Sequence, residues 1–98
     1  KIDWKENAED IIGKINGLYP SPGAFFIYKG ERYKILKAEL TSGIGKSGDV
    51  LDNYLKISCG NKKSIKVLEI QRQGKRPQNI SEFMLGSQIK KGSNLNNE

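Results

Sequence analysis

The chain has 98 residues, no His and a single Cys, with 17 Lys and Arg against 11 Asp and Glu for a net charge of +6. A length of this order holds one small domain with a thin core. The missing His excludes Ser-His-Asp and Cys-His catalysis, His-ligated metals and a histidine pH switch within the chain. Leu, Ile, Val and Phe together number 25, a share above the roughly 20% below which charged chains stay disordered. The lone Cys59 cannot form an internal disulfide, which fits a reducing cytoplasm. No apolar run approaches the roughly 20 residues that span a bilayer, and the charged opening Lys1-Ile2-Asp3-Trp4-Lys5-Glu6 is not a signal peptide.

The charge is unevenly placed. Residues 1–60 hold 9 basic and 8 acidic side chains, whereas residues 61–98 hold 8 and 3. Concentrated positive charge attracts phosphate backbones or anionic membranes, although a solvated lysine-rich surface produces the same count.

In chain order, residues 1–6 read as the end of an interdomain linker, consistent with a piece cut from a longer protein. Asn7-Ala8-Glu9-Asp10 starts a helix, with Asn7 as cap and two acids at the positive end of the macrodipole. Ala8, Ile11, Ile12, Ile15 and Leu18 form one apolar stripe that predicts an amphipathic helix packed on a sheet, ended by Gly17 and Pro20. Pro20 and Pro22 fix φ and make a stiff corner. Ala24-Phe25-Phe26-Ile27-Tyr28 is a strand, Lys29-Gly30-Glu31 a hairpin turn, and Arg32–Leu40 the return strand. Thr41–Gly48 is a flexible loop. Its Gly45-Lys46-Ser47 is no phosphate-cradling P-loop, because Leu40 replaces the upstream Gly and a short strand, not a helix, follows.

Leu55, Ile57 and Cys59 alternate with Tyr54, Lys56 and Ser58, predicting a half-buried strand with Cys59 inward and unreactive. Gly60-Asn61-Lys62-Lys63 turns the chain into a strand through Ile65, Val67, Leu68 and Ile70. The Val67-Leu68 step breaks the period of two and predicts a bulge or burial on both faces. Gln71–Pro77 is a basic loop. Asn79-Ile80-Ser81-Glu82 caps a short helix carrying Phe83, Met84 and Leu85, Gly86 stops it, and residues 90–95 form a closing strand or tail. Phe25, Phe26, Tyr33 and Phe83 are expected in the core, with Tyr28 and Tyr54 exposed. The whole predicts a mainly β fold: a small open Greek-key barrel with an N-terminal amphipathic helix and a short C-terminal helix, spanning residues 7–95 before a frayed tail at 96–98.

Several of these segments, in order, resemble one known family. Ile2-Asp3-Trp4, the run Gly17-Leu18-Tyr19-Pro20-Ser21-Pro22-Gly23-Ala24, Lys34-Ile35-Leu36-Lys37-Ala38, Gly48-Asp49-Val50-Leu51, Leu68-Glu69-Ile70-Gln71 with Gly74-Lys75-Arg76, and Ser81-Glu82-Phe83-Met84-Leu85-Gly86 are together similar to the C-terminal domain of methionyl-tRNA formyltransferases. The likeness covers about residues 2–95. Two positions depart from the family pattern: Ser21 and Leu36 stand where tryptophans are common. The resemblance implies an open barrel like an oligonucleotide-binding fold that helps hold initiator methionyl-tRNA. It also implies a parent enzyme that transfers a formyl group from 10-formyltetrahydrofolate, with the folate pocket and the catalytic residues on an N-terminal domain. No cofactor, metal or catalytic residue is then expected here, and the parent is expected to be a cytoplasmic monomer with no membrane partner.

RNA helices are gripped through phosphates, 2′-hydroxyls and shape, for which Lys and Arg on a rigid β surface suffice. The candidate RNA-binding residues are Arg72, Lys75 and Arg76 on the basic loop, Lys34 and Lys37 on the hairpin, and Lys90 and Lys91 near the tail. Lys62, Lys63 and Lys66 are weaker candidates, since a lysine-rich turn is ordinarily just solvated. Gly74 would let the loop backbone approach a phosphate. Two other readings remain open: a scaffold domain of a formyltransferase or hydrolase acting on a sugar nucleotide or formyl-folate, and an autonomous RNA-binding barrel.

Overall fold

In the computed structural model, which describes residues 1–96, the Asn7 side chain accepts a hydrogen bond from the Asp10 amide at 3.0 Å and opens helix α1, Ala8–Leu18. Ala8, Ile11 and Ile15 are buried on its inner face. The helix runs through Gly17 and ends where Tyr19 turns extended. Both bonds entering the prolines of the next corner, Tyr19–Pro20 and Ser21–Pro22, are cis.

Strand β1, Ala24–Tyr28, pairs antiparallel with β2, Glu31–Thr41. The pairing leaves Lys29 and Gly30 as the two turn residues, both with positive φ (50° and 81°). Such a turn matches the strand twist, and Gly adopts its second position without steric cost. Strand β3 is only Lys56–Ser58. Leu55 sits at φ 62° and Ser58 is fully buried, so the expected alternation over 54–59 shrinks to three residues. The buried Ser58 hydroxyl is satisfied by the Gly45 carbonyl at 3.0 Å, and the Ser64 hydroxyl by the Gly43 carbonyl at 2.8 Å. The segment after Gly48 forms isolated bridges, Asp49 with Asn94 and Val50 with Ile57, in place of a strand.

Strand β4, Ser64–Arg72, organises the sheet. One edge carries β2 along its whole length, while the other is shared by β3 near its start and β5, Gln78–Asn79, near its end. The sheet order is β1-β2-β4-β3, with β5 attached to β4, and the result is a curled, open half-barrel. The bulge expected at Leu68 is present. Ile35 pairs with Ile70, Lys37 with Glu69 and Ala38 with Val67, so Leu36 and Leu68 each drop out of register and the two irregularities offset one another. Helix α2, Ile80–Gly86, is capped by Asn79, whose side chain accepts from the Glu82 amide at 2.9 Å.

The core is continuous from the first residues to the last described turn. Ile2 and Trp4, in the segment read as the end of a linker, are buried, and the Ile2 amide donates to the Phe25 carbonyl at 2.8 Å. Trp4, Phe26, Tyr33 and Phe83 form an aromatic chain, with successive centroid separations of 6.1, 5.3 and 5.7 Å. Ile89 and Leu95 are also buried, so the closing segment packs as an anchored irregular stretch. Asn96 donates from its side chain to the Ser47 carbonyl at 2.7 Å, and the rest of the expected frayed tail lies outside the described residues. The N-terminal segment lies so close to the 60s turn that a Cβ on Gly60 would overlap the Lys5 carbonyl, while the Gly60 amide donates to the Glu6 carbonyl at 2.8 Å.

Tyr28, expected exposed, is buried, and its hydroxyl lies 3.4 Å from the Ser93 hydroxyl, 65 residues away. Phe25, expected in the core, is half-buried, with the Arg32 guanidinium 4.0 Å from its ring centroid. Tyr54 is exposed as expected.

Two tests follow from this packing. Trp4→Ala should destabilise the domain by about 3–5 kcal/mol, since it empties a large buried site, and a denaturant midpoint with unchanged slope would measure it. Burial pushes the Cys59 thiol up to about 11. Iodoacetamide at pH 8 should therefore leave the folded chain unmodified and alkylate it fully in denaturant, as read by intact mass.

Candidate nucleic-acid interface

The antiparallel pairing of Tyr33 with Arg72 places the β1–β2 hairpin beside the C-terminal end of β4. The loop leaving β4 turns at Gly74 (φ 80°) and returns as β5 into α2. Between hairpin, loop and α2 lies an open groove with Tyr28, Tyr33 and Phe83 among its lining residues. Four cations, Lys29, Arg72, Lys75 and Arg76, line it against two carboxylates, Glu31 and Glu82.

The basic loop is tied down at both ends. The Gln73 amide donates to the Arg32 carbonyl and the Lys75 amide to the Arg72 carbonyl, each at 2.9 Å. The Gln71 side chain donates to the Lys75 carbonyl at 3.0 Å. Lys75 and Arg76 are thus carried by a braced turn, and among the described residues no carboxylate lies within ion-pair distance of either. Arg72 differs: it pairs with Glu31, which also accepts from the Tyr33 hydroxyl at 3.5 Å. Arg72 holds the Glu31 carboxyl below the usual carboxylate range, and Glu31 raises the guanidinium in return. Burial pushes the Tyr33 hydroxyl up, with Glu31 adding to the shift.

The candidate residues do not all converge. Arg72, Lys75 and Arg76 share the groove. Lys90 and Lys91 do not line the groove; the Lys90 amide donates to the Ser93 hydroxyl at 3.4 Å and the Lys91 amide to the Asn53 side chain at 3.5 Å. Lys34 alternates with buried Tyr33 and Ile35 and so points from the opposite face of β2. Its stem fills the space where a Gly23 Cβ would stand, and its ammonium donates to the Pro20 carbonyl at 3.4 Å. Lys37 is exposed, opposite Glu69 in the register. Of the weaker candidates, Lys63 is paired with Glu9 of α1 at 2.6 Å, and Lys62 takes the left-handed turn position at φ 60°. Lys66 is exposed opposite Glu39.

Sequence reasoning missed Lys29 and Glu31. The signal that could have found them was the two-residue turn itself, since a tight hairpin places its corner residues together at one end of the sheet.

Fold and groove together define a small basic half-barrel domain with a braced, exposed pair of cations, Lys75 and Arg76. The chain belongs to the family described as formyl transferase, C-terminal domain, whose sequence model matches residues 1–88. It is 71% identical over 97 residues to the methionyl-tRNA formyltransferase of Pelagibacter ubique (strain HTCC1062), covering 99% of this chain and 31% of that relative. It is 44% identical over 94 residues to the methionyl-tRNA formyltransferase of Paramagnetospirillum magneticum, covering 96% of this chain and 30% of the relative. A similarly named protein of Chelativorans sp. is 37% identical over 99 residues, covering 97% and 32%. The chain therefore spans about a third of the length of these curated relatives.

The ion pair makes a pH prediction. Because the folded pKa of Glu31 is depressed, its contribution to stability is present above the unfolded value of about 4.3 and is lost as pH falls through the folded value. Carboxyl NMR should place the Glu31 midpoint below the ordinary range, and Arg72→Gln should move that midpoint upward.

Proposed function

We propose that this chain is the tRNA-holding C-terminal domain of a methionyl-tRNA formyltransferase. The parent enzyme passes the formyl group of 10-formyltetrahydrofolate to the amino group of initiator methionyl-tRNA. The N-terminal domain of the same polypeptide supplies the folate site and the catalytic residues, and the enzyme works in the cytoplasm as a monomer. The present domain contributes grip: Lys75 and Arg76, with Arg72, Lys90 and Lys91, meet backbone phosphates and hold the tRNA so that its acceptor end reaches the catalytic domain. Lys34 and Lys37, on the outer face of β2, add a diffuse positive field.

The observation that carries this reading is the braced loop with its two cations unpaired by any carboxylate among the described residues. A scaffold domain needs no such arrangement, and the relatives' names favour the tRNA enzyme over the sugar-nucleotide alternative. The grip is sequence-independent, because phosphate contacts fix register and carry no base information.

The test is charge reversal in the full-length parent enzyme. Lys75→Glu with Arg76→Glu should raise KM for initiator tRNA by about tenfold or more, since two phosphate contacts become repulsions. It should leave kcat within about twofold, because uniform binding is what has been removed. The melting temperature should be unchanged, as both side chains are exposed. Unaltered tRNA kinetics would remove the loop from the interface.

A further inference from the structure

We propose that Glu31 tunes the groove's hold on RNA by occupying Arg72, so that a backbone phosphate must displace a carboxylate to engage this guanidinium. The inference rests on the tRNA-holding reading above.

Apart from Lys29, whose ammonium lies 5.5 Å from the Tyr28 ring centroid, the groove presents its cations in two states. Lys75 and Arg76 have no carboxylate within ion-pair distance among the described residues, whereas Arg72 is paired with Glu31. The pairing is built into the sheet. Glu31 is the first residue of β2 and Arg72 the last of β4, and the Tyr33–Arg72 register brings those ends together. The Tyr33 hydroxyl, 3.5 Å from the same carboxylate oxygen, gives Glu31 a second tether. Tyr33 itself is fixed between Phe26 and Phe83, so this tether stands on the core.

The pair is also reachable from solvent. The Arg72 and Glu31 side chains keep 44% and 42% of their exposure, and both line the groove. Glu31 occupies the Nε donor of Arg72, so a phosphate that makes two parallel bonds along that edge of the guanidinium must displace it. The free enzyme thus keeps one of its groove cations engaged, and Glu31 recaptures Arg72 when the RNA leaves. Attenuation of this kind suits a carrier of substrate, because binding substrate and transition state more tightly by the same amount lowers KM without raising kcat.

The experiment measures equilibrium binding of initiator tRNA to the full-length parent enzyme over a series of salt concentrations. It compares the wild type with E31Q, R72Q, the E31Q/R72Q double variant and the K75E/R76E double variant. Glu31→Gln should tighten binding by about 3- to 10-fold and steepen the fall of affinity with salt, since the phosphate no longer displaces a carboxylate that gathers a cation on release. In the Arg72→Gln background the same change should gain less than about twofold, because the masked partner is gone. An unchanged or weakened affinity in E31Q would overturn the proposal, as would a gain that persists in full without Arg72, which marks a diffuse charge effect. Failure of the underlying tRNA reading looks different: every variant, K75E/R76E included, would then bind like the wild type. Melting curves check folding. If E31Q is unstable, Glu31→Asp loosens the pair and should give a smaller gain of the same sign, with no gain counting against the proposal.

Discussion

The interaction on which the rest depends is the aromatic chain through the half-barrel, Trp4 to Phe26 to Tyr33 to Phe83. Each ring comes from a different part of the polypeptide: the N-terminal segment, β1, β2 and α2. A 98-residue chain has too little interior for several independent clusters, so one file of large rings carries much of the apolar burial. It fixes α2 against the sheet and sets the far wall of the groove. Phe26 and Tyr33 stack nearly parallel, with 16° between their planes, whereas the two end contacts are edge-on, an arrangement that favours one packing geometry over many.

From that file the site is built outward in two steps. Tyr33 is a core residue whose hydroxyl faces the groove, and it passes positional order to Glu31 and thence to Arg72. The basic loop is ordered separately, by backbone bonds to β2 and by Gln71. Core packing and polar bracing therefore meet at the mouth of the groove, and cations that would otherwise sweep a large volume are presented from fixed backbone. Preorganisation of this kind reduces the ordering cost paid on binding.

Local chemistry made some of this visible in the sequence. The Asn7 and Asn79 caps, the span of β1 and the irregularity at Leu68 follow from short-range rules and are present, and the turn read over Lys29-Gly30-Glu31 is one residue shorter because Glu31 begins β2. What could not be read depends on distant partners. Ile2 and Trp4 alternate with charged Asp3 and Lys5 over too short a stretch to announce a core segment, yet both are buried. Tyr28 owes its burial to a closing segment that reads as lysine, glycine and asparagine, and whose anchors Ile89 and Leu95 have no pattern around them. The pairing of Arg72 with Glu31 joins two strands far apart in the chain, so charge counting placed Arg72 with the free cations. Counting also treated Lys63 as available, although it is engaged by Glu9 of α1.

The shared edge of β4 has a consequence for how the domain comes into being on the ribosome. The neighbours β2 and β3 on opposite edges precede β4 in the chain, β5 follows it, and the buried Ile89 and Leu95 come later still. The sheet therefore acquires its last apolar cover only when residues as late as Leu95 have left the exit tunnel.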